Sequence, residues 1–413
     1  MNNERGIGMK VLVLGNGFDL YHKLPTRYLD LMNVIKRLKE LGGEYKKCNY
    51  IGFMFGKGSP LYAEDEFIRE CYKLHSDVIK GTKIDMEKLD EMVELANKNM
   101  WVAYFEKICE ADIGWIDFEK EIVDVIRSFK RIFDYTRTIE AFYGEIEWSN
   151  ENQLLLEDIE RFNKFGGFYA QNTVIDSTYI AFDEMYLTPE ITNTEVRRLD
   201  EEKIIAKMYQ ELRDFIKILN IYIEQFVDQI AVNKVSNNDI FEQADYVVNF
   251  NYTNVYEKLY QRERDIPVFH IHGIAKEQNI VLGVNADADD ELEQLDTRFI
   301  KFKKYFQRLE GGTDLAYAQI LEIYDQMTIM GAEKELYFVG HSLDVTDEDI
   351  IKELIERSDS VEIYYHSKQA LTDYITNLVK LFGKREMIQM RLEKKLKLKE
   401  LPKFQLRKGI VKE

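Results

Sequence analysis

Lys10-Val11-Leu12-Val13-Leu14-Gly15-Asn16-Gly17-Phe18-Asp19-Leu20-Tyr21-His22-Lys23-Leu24-Pro25-Thr26-Arg27-Tyr28 decides how the rest of the chain is read. Its opening run of β-branched and aliphatic residues predicts a strand buried on both faces, as in the interior of a parallel sheet. The run stops at Gly15-Asn16-Gly17, where two glycines permit a tight turn and close approach of a ligand to the backbone. In an open α/β sheet that position, outside the carboxyl end of a strand, is where nucleotides sit, and the turn's amides are placed to meet a phosphate. A plain strand-to-helix turn has the same sequence. Leu24-Pro25-Thr26-Arg27-Tyr28 adds a rigid extended segment able to close over a bound molecule.

With 413 residues, 45% of them hydrophobic, the chain can bury a large core and form two or three structural units. A net charge of −18 opposes general affinity for nucleic acid or anionic membrane. No segment has the length of apolar sequence needed to span a bilayer, and residues 1–10 lack a signal-peptide core, so no membrane association is expected. Cys48, Cys71 and Cys109 are far apart and form no C-x-x-C pair. They read as reduced thiols of a cytoplasmic protein, with neither a disulfide framework nor a bound metal.

From Leu29 the hydrophobic period becomes helical, with Leu29, Met32, Ile35 and Leu38 on one face and a stop at Gly42-Gly43. Helical patterns follow over 88–101, 117–133, 154–165 and 200–235, and the whole chain carries only five prolines. Strand patterns resume at 246–254, 268–273, 280–283, 336–340 and 361–366, with helical intervals at 296–330, 347–356 and 371–382. The reading is therefore an α/β fold with a Rossmann-type parallel sheet, formed by residues 1–28 and 241–382. Residues 29–240 are an all-helical insertion. Residues 383–413 read as a basic tail, since from Leu381 onward there are eleven Lys or Arg against four Glu.

Four pieces form a set: Gly15-Asn16-Gly17 with Leu24-Pro25, Phe250-Asn251-Tyr252, His272-Gly273, and Gly340-His341-Ser342-Leu343. Their order resembles the sirtuin-type NAD-binding fold, whose signature runs G-A-G with G-I-P-x-F-R, then Q-N-I-D, H-G and G-T-S-L. The interval from Gly15 to Pro25 equals that of the sirtuin loop. More specifically, V-L-G-N-G-F-D-L, L-P-T-x-Y, W-x-D-F-E, F-N-Y-T-N, H-I-H-G and G-H-S-L-x-x-T-D resemble the AbiH family of bacterial abortive-infection proteins, which protect against phage. This resemblance runs from Met9 to about Phe382.

The sirtuin resemblance implies that Asn251 and His272 sit at the nicotinamide ribose. A polar amide and a base working near neutral pH suit cleavage of the nicotinamide–ribose bond, whose transition state is cationic. Asn251 can equally cap the following helix, and His272 can be a core histidine bonded to backbone. His270 reads as structural. Gly15, Asn16, Gly17, Asp19, Pro25, Thr253, Gly340 and Ser342 are the implied nucleotide-binding set. Asp19 and Thr253 depart from the sirtuin pattern, which has serine and aspartate there, and Tyr28 replaces its arginine. The zinc module of the deacetylases is absent, which points away from protein deacetylation.

Glu119 reads either as a first-turn acid complementing the helix dipole or as a residue reaching the cleft from the helical side. His22 reads as lining the cleft or solvated, and Lys303-Lys304 as a solvated helix face or a cation for phosphates. Thr346 reads as the cap of the helix that follows. The expectation is a phage-defence protein hydrolysing NAD to ADP-ribose and nicotinamide on infection, its insertion sensing a phage trigger or joining subunits into a homo-oligomer. A non-catalytic sensor of NAD or a related adenine nucleotide, and a nucleic-acid-directed toxin using the basic tail, remain as alternatives.

Overall fold

In a computed structural model the described residues are 8–47, 49–111, 117–140, 142–147, 156–168, 179–188, 196–231, 236–261, 265–285 and 297–407. Cys48, Trp115, Ile116, Leu154, Val235 and Asp296, which figure in the sequence reading, lie outside them.

The opening run forms β1 (Gly8–Leu14). Met9, Val11 and Val13 enter one hydrophobic core and Leu12 and Leu14 another, so both faces are covered, as the unbroken apolar run requires. The later strands of the main sheet are β4 (Tyr246–Asn249), β5 (Val268–His270), β6 (Glu333–Val339), β7 (Ser360–Tyr365) and β8 (Leu396–Glu400). All are parallel to their neighbours, in the order β5-β4-β1-β6-β7-β8. Ranked among themselves, that order is 3-2-1-4-5-6, the doubly wound Rossmann arrangement. The order reverses between β1 and β6, and the carboxyl ends of those two strands mark where an open sheet offers a crevice.

One face of the sheet packs on helices Asp314–Ile329, Glu348–Arg357 and Lys368–Leu392, through residues such as Ile320, Leu354 and Leu378. The other packs on the long stretch between β1 and β4, which contributes helices Tyr28–Leu41, Phe118–Thr138 and Glu201–Tyr222. That stretch also holds a short antiparallel pair, β2 (Glu145–Glu147) and β3 (Tyr179–Ala181), which the helical reading did not include.

Two further readings change. The apolar run 280–283 is not a strand of the sheet. At Leu282 its backbone bonds go to Gln307, whose side chain accepts from the Leu282 amide at 2.9 Å and donates to the Leu282 carbonyl at 3.1 Å, while the Val281 amide donates to the His272 carbonyl at 2.8 Å. A buried extended segment has the same composition as a buried strand, so periodicity alone does not separate them.

The second change is at the carboxyl side. Residues 383–407 are not a separate basic tail, because the helix begun at Lys368 continues to Leu392 and β8 then closes the sheet edge; residues 408–413 lie outside the described residues. Leu396 and Leu398 alternate with Lys397 and Lys399, whose ammonium groups reach Glu362 on β7 at 3.3 and 2.7 Å. Two of the lysines that suggested a tail are thus cross-strand pairs on an edge strand.

No helix among the described residues is long and apolar enough to cross a membrane.

Candidate active site

A cleft of about 570 Å³ lies over the carboxyl ends of β1 and β6. Nine of the ten candidate residues line it: Gly15, Asn16, Gly17, Asp19, Asn251, Thr253, His272, Gly340 and Ser342. Pro25 does not. Its carbonyl accepts the Tyr222 hydroxyl at 2.7 Å, and the loop faces the cleft through Thr26, Arg27 and Tyr28 instead.

The glycines answer to packing. A Cβ on Gly15 would stand 2.6 Å from His341 Cα, and one on Gly17 2.6 Å from Gly340 Cα. Their amides are also engaged: Gly15 donates to Val339, Gly17 to Gly340 and Phe18 back to Gly15, at 3.2, 2.9 and 2.8 Å. The expectation that this turn aims its amides at a phosphate therefore does not hold for these three. These N–H groups hold the β1 turn against the β6 turn.

Asn16 donates to the Thr26 carbonyl at 3.2 Å, tying the loop across the turn. Arg27 faces the cleft but is bound to Asp30 and Asp65 at 2.5 and 2.6 Å. His22 is neither solvated nor in the cleft. It is 1% exposed, with its ring nitrogens on the Phe18 carbonyl and the Tyr260 hydroxyl.

At the end of β4, the Asn251 amide donates to Asn249 Oδ1 at 3.0 Å, so Asn251 is not a helix cap; the next helix begins after Asn254. Thr253 donates its hydroxyl to Asp19 Oδ2 at 2.8 Å. Burial, reinforced by the nearby carboxylates of Asp228 and Glu257, pushes Asp19 up to about 8, against the Thr253 hydrogen bond. Asp19 is thus protonated at neutral pH. Three polar atoms of cleft-lining side chains are buried without a hydrogen bond of good geometry: Asp19 Oδ1, Thr26 Oγ1 and Asn251 Nδ2, the Asn251 side chain interacting with the Asp19 carboxyl.

Asp19 makes a testable contribution to stability. Its folded pKa lies above the usual aspartate value, so between about pH 4 and 8 the native state holds a proton that the unfolded chain has lost. Stability attached to this group is present at low pH and lost as pH rises toward 8. Asp19→Asn keeps the Thr253 hydrogen bond and removes the titration. The variant should gain on the parent by about 1 kcal/mol per pH unit across that window. Thermal melts from pH 5 to 9 read this directly, and a constant difference between the two proteins would refute it.

The other half of the cleft is a buried ionic cluster. His272 Nε2 lies 2.9 Å from Asp347 Oδ1, and Lys304 Nζ lies 2.8 Å from both Asp347 Oδ1 and Glu119 Oε2. His341 takes the Leu343 amide on Nδ1 at 3.0 Å, which leaves its Nε2–H directed at Asp347 Oδ2, 3.7 Å away. Burial lowers both His272 and His341 to about 4, leaving them neutral at pH 7. Burial alone would raise Asp347, but the Lys304 ammonium and the imidazole donors hold it well below the usual carboxylate range. Glu119 stays above that range because burial outweighs its share of Lys304. With Nε2–H on Asp347, the Nδ1 lone pair of His272 is the one left for other partners.

Lys304 is therefore not on a solvated face; it is 1% exposed. Glu119 fulfils both readings at once, in the first turn of its helix and lining the cleft. Asp347 is the hub of the cluster, and Asp344 rather than Thr346 caps the turn before it. Sequence reasoning missed Lys304 and Asp347 as a pair. No local signal joins residues 43 positions apart, or either of them to Glu119.

A family model described as "Bacteriophage abortive infection AbiH" matches residues 11–366. The chain belongs to the AbiH family. The AbiH resemblance seen in the motifs is thereby confirmed over most of the chain, and AbiH membership places the protein among those that abort bacteriophage infection. A curated relative of this AbiH protein, a probable cytoplasmic aspartate–tRNA ligase of Enterocytozoon bieneusi (strain H348), is 24% identical over 173 residues. Those residues are 39% of this chain and 33% of the ligase, so the AbiH chain spans about a third of that relative, too little to assign it a family. No solved structure matches it. Among the described residues no group of three or more His, Cys, Asp or Glu is placed to hold a metal ion.

Proposed function

We propose that this AbiH protein aborts infection by cleaving the nicotinamide–ribose bond of NAD in the cleft at the β1–β6 reversal. The observation that carries the reading is the meeting, at one sheet edge, of enclosed polar atoms on Asn251 and Asp19 with a histidine oriented by a buried carboxylate. The fit is good for the nicotinamide riboside half. A carboxamide and ribose hydroxyls need both donors and acceptors, and Asn251, protonated Asp19 and Thr26 supply them.

In the cleavage, the C1′–N bond breaks and its electron pair goes to the pyridinium ring, which leaves as neutral nicotinamide. Water adds its oxygen to C1′ and gives up a proton. Positive charge on the sugar in the transition state is favoured by the net negative charge of the Glu119–Lys304–Asp347 cluster at the cleft. His272, held by Asp347 in the tautomer with Nδ1 unprotonated, is the base that takes the water's proton. Asn251 orients the carboxamide or the attacking water.

The test is incubation of the purified full chain with NAD while nicotinamide release is followed by chromatography. Asn251→Ala and His272→Ala should each lower release by about a hundredfold or more while far-UV circular dichroism stays unchanged. Full activity in both variants would sink the mechanism. Because His272 remains neutral down to about pH 4, release should persist to about pH 5 and fall below it. Stabilisation of the protein by NAD with no release would instead favour the sensor reading.

A further inference from the structure

The cleft's charges do not suit the phosphates of a dinucleotide. No lysine lines it among the described residues, and Lys304 behind it is consumed by Glu119 and Asp347. Arg27, the arginine at its wall, is held by Asp30 and Asp65. The amides of Gly15, Gly17 and Phe18, where a Rossmann sheet ordinarily meets a diphosphate, are bonded within the protein. Carboxylates of Asp117, Glu119, Asp344, Asp347 and Asp373 line the same cleft. Glu119 and Asp347 share Lys304, and the remaining carboxylates disfavour an added diphosphate, since two like unit charges about 4 Å apart near a protein surface repel by about 4 kcal/mol.

The enclosed polar atoms of the cleft are of another kind. Thr26 Oγ1 is enclosed and has no hydrogen-bond partner, and Asp19 Oδ1 and Asn251 Nδ2, whose side chains interact with each other, are enclosed without a hydrogen bond of good geometry; all three belong to cleft-lining residues. A carboxylic acid, a hydroxyl and an amide recognise hydroxyl and carboxamide groups, not anions. Tyr28 and Tyr252 add aromatic surface beside Glu119, a combination that attracts a cationic ring.

We infer that the cleft selects cationic N-ribosides through the sugar hydroxyls, the carboxamide and the ring's positive charge, and that phosphate groups contribute nothing to recognition. The inference rests on the N-glycoside cleavage proposed above and names its substrate class. The bond broken and the fate of each atom are unchanged: water supplies the hydroxyl at C1′ and the ring leaves neutral. Only the part of the substrate that is held differs. NAD enters by its nicotinamide riboside end, with the diphosphate and adenosine directed out of the cleft. A nucleoside carrying the same cationic ring is an equal substrate.

The experiment compares nicotinamide riboside with NAD on the full-length protein. Nicotinamide release is measured for kcat/KM, and binding is measured by calorimetry in low and high salt. Riboside turnover and affinity within about tenfold of NAD are expected, with NAD binding no weaker at high salt. A riboside disadvantage of about a hundredfold or more, with NAD affinity falling as salt rises, overturns the inference and leaves N-glycoside cleavage standing. If both ligands bind without release, the affinity ratio alone decides the selectivity, and it is the cleavage reading that fails. If neither binds, both fall together. Asp19→Leu gives an internal check: it removes an uncharged hydrogen-bonding group and should weaken both ligands by about tenfold.

Discussion

Lys304→Met is expected to destabilise the protein by about 3–5 kcal/mol at neutral pH, because it leaves two buried carboxylates without their cation. Lys304 Nζ sits 2.8 Å from both Glu119 and Asp347, and all three side chains are nearly enclosed. Breaking such a cluster from one side is far costlier than replacing it entirely, since the remaining charges stay desolvated. The sign with pH follows. With the ammonium gone, both acids rise above their unfolded values, so the variant's native state binds more protons than its unfolded chain. Its deficit should widen as pH rises from 5 to 8. Urea melts at those two pH values measure this. The double variant Lys304→Met with Glu119→Gln should recover part of the loss at pH 8. A deficit under about 1 kcal/mol, or one that shrinks with rising pH, would mean that the cluster is solvated and carries little energy.

Gly340→Ala is the second large effect. Gly340 has φ of +71°, in the left-handed region, and an added Cβ would lie 2.2 Å from the Phe18 nitrogen and 2.4 Å from the Gly17 carbonyl carbon. Both obstacles are backbone, so neither can swing aside. The left-handed conformation alone costs an ordinary residue about 1–2 kcal/mol, and forced overpacking adds about 1–3. Loss of about 3 kcal/mol or more is expected, together with loss of ligand binding as the β1 and β6 turns separate. Gly331 provides the control: its φ is +66°, but nothing lies within 4 Å of its missing Cβ. Gly331→Ala should therefore cost only the backbone share, about 1–2 kcal/mol. Equal effects from the two variants would show that the close approach at Gly340 is unimportant.

Which parts of this molecule could be read in advance follows from where the information lies. β1, its glycine turn and the helix Tyr28–Leu41 are local patterns, and they fold as their periodicity indicates. The motif ends at Asn251, His272 and Ser342 converge because parallel strands deliver their carboxyl ends to one edge. β8 was hidden by its own composition. Its alternating Leu-Lys-Leu-Lys pattern is strand-like, but the surrounding excess of lysine and arginine draws attention to charge instead. The ionic cluster was not legible at all. Glu119, Lys304 and Asp347 come from three separate elements, and only the packed fold makes them neighbours.

The position of the helical insertion within the chain has a consequence for synthesis on the ribosome. β1 pairs with β4 on one side and β6 on the other, and β4 begins at Tyr246, 232 positions after Leu14 (246 − 14). At 5–20 residues per second, β1 waits on the order of ten seconds or more for either partner. Helices of the insertion, which depend mainly on local contacts, can form in that interval, while the cleft needs His272, Lys304 and Asp347 from near the end. The cleft is thus assembled only after the whole insertion has been made, once β4, β5 and β6 have followed it.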